Sequence, residues 1–125
     1  MTATRGSEVR RVAEGYAKAW TSGHVDEAMS HLADDMVCDA PAGRIGGVAA
    51  YRAFTQGFVD RIVSATVTKV LVDGTSAAVV YSCATPWAKD FRAMDHITVE
   101  DGRIRHITTV FDRLPAAEAA GRAQG

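Results

Sequence analysis

The chain has 125 residues, 47% of them hydrophobic and 23% charged, with a formal net charge of -1. That length and balance describe one domain, residues 1–125, with enough apolar surface to bury a core, and exclude a disordered or fibrous chain. Basic residues form no stripe, so no nucleic acid is expected as a partner, and no apolar run is long enough to span a bilayer.

The opening "MTATRGSEVRR" lacks an apolar segment, so no secretory signal is expected, and a cytoplasmic location follows. Cys38 and Cys83 lie far apart with no CxxC and read as two buried thiols. His24, His31, His96 and His106 show neither HxxxH nor HxH spacing, so no metal site is expected.

A first helix is expected from Ser7, an N-cap with Glu8 in the first turn. Val9, Val12, Ala13, Tyr16, Ala17 and Trp20 follow helical spacing, and Gly23 is suited to end the helix. A short second helix follows from about Asp26 and buries Ala28, Met29 and Leu32. "DDMVCDAP" reads as a brief strand ended by Pro41, and "AGRIGG" as loop. Tyr51, Phe54, Phe58 and Ile62 line one side of a third helix.

The period then changes. "SATVTKVLVD", "SAAVVYSCATPW", "FRAMDHITVE" and "RIRHITTVFD" are four strand-like runs rich in valine, isoleucine, threonine and aromatics. Asp73-Gly74 and Asp101-Gly102 supply turns that need positive φ. "LPAAEAAGRAQG" reads as a loose tail, with residues 115–125 flexible. Helices first and antiparallel strands after give an α+β domain, three N-terminal helices packed on a curved antiparallel sheet formed mostly by residues 65 to 112. Such a sheet makes a cone whose mouth is a natural ligand pocket.

One residue interrupts the pattern. Phe91, Ala93, Asp95, Ile97 and Val99 alternate along the apolar face of their strand, and a carboxylate there is costly unless it is paired or neutral. Asp95 is therefore a candidate for chemistry. His96 and His106 fall on the opposite face, facing solvent or a subunit interface.

The stretches "YAKAWTSGHVDEAMSHLADDMV", "DAPAGRIGGVAAYRAF" and "DHITVEDGRIRHITTVFD", in that order, resemble the nuclear transport factor 2-like superfamily, and the last is close to the pattern of SnoaL-like proteins. The resemblance covers nearly the whole chain and implies the cone fold and a homodimer. Its activities include isomerases, cyclases, dehydratases and epoxide hydrolases, besides non-enzymes. Ketosteroid isomerase, a member, holds an oxyanion with a tyrosine of its first helix and an aspartic acid before a histidine in a late strand. Tyr16 and Asp95 resemble that pair; the position of that enzyme's separate base falls on Ala40, with Asp39 adjacent. Asp39 comes inward only if a bulge turns it. Asp112 matches the aromatic-Asp end of SnoaL-like sequences.

The expectation is an enzyme without metal or organic cofactor, acting on a small, mostly apolar carbonyl compound by proton transfer: isomerisation, cyclisation or dehydration. Asp95 and Tyr16 would hold the substrate oxygen and Asp39 or a water would shuttle the proton, or Asp95 would itself be the acid–base group. Trp20, Phe54, Phe58, Tyr81, Trp87, Ile107 and Phe111 would form the pocket wall or core. The alternative is a non-catalytic domain of the same fold that binds a small ligand or serves dimerisation.

Overall fold

The computed structural model describes residues 2–86 and 88–111, with side chains from residue 6 onward except at residue 89. The expectations for Trp87, Asp112 and the 115–125 tail lie outside these residues. In chain order the elements are α1 (Thr2–Thr21), α2 (Val25–Met29), β1 (Leu32–Ala40), β2 (Gly43–Gly46), α3 (Val48–Val59), β3 (Ser64–Asp73), β4 (Ser76–Thr85), β5 (Ala88–Glu100) and β6 (Arg103–Phe111).

Helix α1 begins before Ser7, and its buried residues Val9, Val12, Ala13, Tyr16, Ala17, Ala19 and Trp20 form one stripe. It ends where Gly23 takes φ +84°. The Gly23 amide bonds Trp20 O at 3.0 Å and the His24 amide bonds Ala19 O at 2.8 Å, the paired closure that a left-handed residue permits. A side chain with Cβ is strained there, so Gly23→Ala should cost about 1 kcal/mol. Thermal melts should show a drop of roughly 4 °C, and an unchanged midpoint would mean that the cap contributes nothing.

The four late runs are strands, β4 with strict in–out alternation. Asp101 (φ +53°) with Gly102, and Gly74, take the left-handed conformations expected at the two turns. The six strands lie in the order β2-β1-β6-β5-β4-β3. Two expectations are corrected here. "GRIG" is not loop but an edge strand, antiparallel to β1, with Arg44 opposite Asp39 and Ile45 opposite Cys38. Nor is the sheet wholly antiparallel, because β1 runs parallel to β6. After β2, α3 leads the chain to the far edge, and the β3–β6 meander then returns to β1 from the other side.

Register shifts interrupt β3–β4 between Val67 and Lys69, β4–β5 between Cys83 and Thr85, and β5–β6 between Thr98 and Val99. Each such irregularity bends a strand and adds twist, giving the open sheet its curvature. Helix α1 packs on β3 and β4, and α3 packs on β1. Met36, Cys38, Ile97, Ile104 and Ile107 lie wholly within the shared core.

Candidate active site

Alternation along β5 turns Asp95 inward between Ala93 and Ile97, all three buried. The ladder sets it beside Val79 of β4 and Thr109 of β6. The residue is 3% exposed. Thr109 Oγ1 donates to Asp95 Oδ1 at 2.9 Å and Tyr81 OH donates to the same oxygen at 3.3 Å. Burial pushes the carboxyl up to about 6, and the two hydroxyl bonds pull back towards the ionised form. Asp95 thus titrates in the mildly acidic range, where a carboxyl of ordinary value would already be ionised.

Helices α1 and α3 bring two further hydroxyls to the same space. Tyr16 OH and Tyr51 OH are 2.5 Å apart and buried. Burial, then the neighbouring phenol and Asp95, raises Tyr16 far above its ordinary value; burial and Asp95 do the same for Tyr51. Both phenols therefore stay protonated. Only one of the two protons can occupy the bond between them, which leaves the other hydroxyl able to donate elsewhere.

These groups line a cavity of about 420 Å³, within the range of small-molecule sites. Aromatic rings make most of the wall: Trp20 meets Tyr81 edge-on at 4.9 Å, and Phe91 lies 5.2 Å from Phe111. Among the described residues that line it, Asp95 is the one carboxylate and Arg61 the one cation. Trp20 Nε1 is buried without a hydrogen-bond partner among the described residues.

Asp95 and Tyr16, chosen from sequence, share this cavity, as do Trp20, Phe54, Phe58, Tyr81 and Phe111. An inward Asp95 was expected within hydrogen-bond reach of a pocket group, with Tyr16 and Trp20 as candidates; its hydrogen bonds go to Tyr81 and Thr109, which line the same cavity. Ile107 does not line the cavity. It pairs with Ile97, nearer the Asp101-Gly102 turn, where both are fully covered. Tyr51, Thr109, Phe91 and Arg61 line the site without having been singled out for it.

Asp39 is the main correction. The irregularity of β1 falls between Leu32 and Val37, so no bulge turns Asp39 inward. Its carboxylate instead binds Arg44 (Nε 2.8 Å, Nη2 3.2 Å) and His106 Nε2 (2.7 Å) away from the cavity. Arg44 first and His106 second hold its carboxyl down to about 2. His96 is exposed. Asp39→Asn should leave any cavity chemistry unchanged. A carboxyl lowered in the folded state adds stability above its unfolded value of 3.8 and loses it as pH falls towards 2. Melts of the variant should therefore lie below wild type at neutral pH and converge with it on acidification. A large loss of catalysis in this variant would return Asp39 to the site.

Among the described residues, no three His, Cys, Asp or Glu side chains gather as a metal site, and no helix is long and apolar enough to cross a membrane.

The described fold is a curved, unclosed six-stranded sheet with its helices at the N-terminal side, and its neighbours are NTF2-like. Residues 12–107 match the SnoaL-like domain, and the chain belongs to that family. A protein from Kribbella flavida DSM 17836 is 40% identical over 92% of this chain and 96% of its own, with a TM-score of 0.86. A candidate ketosteroid isomerase from the same organism is 26% identical over 86% of this chain and 79% of its own, TM-score 0.78. An LEH-like epoxide hydrolase of M. tuberculosis, 20% identical over 94% of this chain and 92% of its own, TM-score 0.73, shares the fold. No curated protein matches the sequence.

Proposed function

We propose that the protein is an acid–base enzyme acting on a small, mostly apolar carbonyl compound, with Asp95 moving the proton. The observation that carries this reading is a buried carboxyl, raised to about 6, the one carboxylate among the described residues that line a largely aromatic cavity. Ionised Asp95 takes a proton from the carbon next to the carbonyl. The C–H electrons pass into a new C=C bond, and the carbonyl π electrons move to oxygen. The free proton of the Tyr16–Tyr51 pair stabilises that oxyanion. Neutral Asp95 then returns the proton, to the same carbon in simple exchange or to a conjugated one in isomerisation. One group serves as base and then acid, so Asp39 is not needed. The similarity to a candidate ketosteroid isomerase supports this class of chemistry, while the substrate is a separate question.

The test follows α-proton loss from cyclic β,γ-unsaturated ketones in D2O by NMR, together with growth of the conjugated enone by absorbance. The rate should climb with pH and level above about 6, as the base form fills. Tight ketone binding with no exchange above buffer would sink the enzyme reading in favour of a ligand-binding domain.

A further inference from the structure

Arg61 has no role in the proton transfer just described, yet it lines the same cavity. Phe54 and Phe58 of α3 and Arg61 in the turn that follows it are spaced by four and three, and all three line that cavity. The Arg61 amide bonds Phe58 O at 3.0 Å, so the last turn continues through Arg61. Its chain neighbour Asp60 makes no ion pair with it; the Asp60 carboxylate accepts a hydrogen bond from Gln56 Nε2 at 2.8 Å. Arg61 is exposed, and no ion pair among the described residues includes it. Arg10, Arg44, Arg52, Arg92 and Arg105 each have a carboxylate partner; Arg11 and Arg103 have none either among the described residues, but only Arg61 lines the cavity. An unmatched guanidinium beside an aromatic cavity is a place for an anion that the protein does not itself supply.

We propose that the cavity's ligand is an apolar monocarboxylic acid, held with its carboxylate on Arg61 and its reacting carbonyl end towards Asp95. Among the described residues the lining holds one cation and no second positive group, which suits a single negative charge better than a phosphate dianion. Orientation follows from the same charges. Ionised Asp95 repels a carboxylate, so the acid enters with its uncharged, carbonyl-bearing end first and leaves its charge in the wetter region around Arg61. The orientation towards Asp95 rests on the acid–base reading; the charge preference does not.

The bland alternative is that Arg61 only complements the carbonyl end of α3, which any cation would do regardless of ligand. Equilibrium binding of 2-naphthylacetate and its neutral match 2-naphthylacetamide separates the two, with no turnover required. Wild type should bind the acid about tenfold more tightly, since a charge-assisted bond is roughly twice as strong as a neutral one, and added salt should narrow the gap. Arg61→Gln should equalise the two ligands by weakening the acid alone, while Arg61→Lys keeps part of the preference. Asp95→Asn, which removes the repelling inner charge, should keep or widen the preference while proton exchange collapses, so failure of the acid–base reading would leave this result standing. Equal binding in wild type, binding of neither ligand, or an undiminished preference in Arg61→Gln would overturn the proposal.

Discussion

Asp95→Asn should lower ketone proton exchange by a factor of about 10² to 10⁴, the usual worth of a positioned general acid–base group. The substitution keeps the size of the side chain and an acceptor oxygen for Thr109 and Tyr81, so the cavity wall should survive. It removes only the capacity to take and return a proton. Ketone binding should therefore stay within a few-fold of wild type while turnover collapses, a split that a general packing defect would not produce. Residual exchange within about tenfold of wild type would transfer the proton step to another group. A variant that fails to fold would make the carboxylate structural, and the active-site reading would fall with it.

The same substitution should make stability respond differently to pH. Asp95 titrates near 6 in the folded chain against 3.8 when unperturbed. Its folded value is raised, so the folded state binds the proton more tightly between these values, and stability falls as pH climbs through them. Below 3.8 the group is neutral in both states and costs nothing. Above about 6 the folded protein must carry a buried charge, at up to about 3 kcal/mol for a shift of this size. Asn carries no such charge. Urea unfolding of both proteins at about pH 4 and about pH 7.5 should show the variant gaining on wild type by up to that amount. Asp39, with the opposite sign, is present in both proteins and cancels from the comparison. A difference that is flat with pH would mean that Asp95 keeps an ordinary carboxyl.

The late strands were legible because period-two alternation and two Asp-Gly turns state both their limits and their faces, which is how Asp95 stood out. Edge strand β2 was not, because its four residues include two glycines and carry no alternation. Thr109 was hidden by a bulge. Counting back from the Asp101-Gly102 turn sets Asp95 opposite Thr108, but Arg105 has no partner in the ladder and moves it opposite Thr109. The Tyr16–Tyr51 contact depends on how α1 and α3 meet across the sheet, which no local pattern encodes. Asp39 could be read on the outer face from the one-residue offset to Ala40, but its grip on Arg44 and His106 needed both neighbouring strands in place.

The parallel pairing of β1 with β6 also orders events in time. Strands β3 to β6 join by short turns and can zip from local contacts, whereas β1 must find β6 across the whole intervening chain, Leu32 meeting Ile104. Closing so long a loop is entropically costly and slow, so docking of β1 should belong to the far side of the folding barrier. Tyr51 lies on α3, which packs on β1, so its meeting with Tyr16 waits for that docking. A cavity ligand would then find no binding partner in the transition state. In stopped-flow experiments it should slow unfolding and leave the refolding rate nearly untouched.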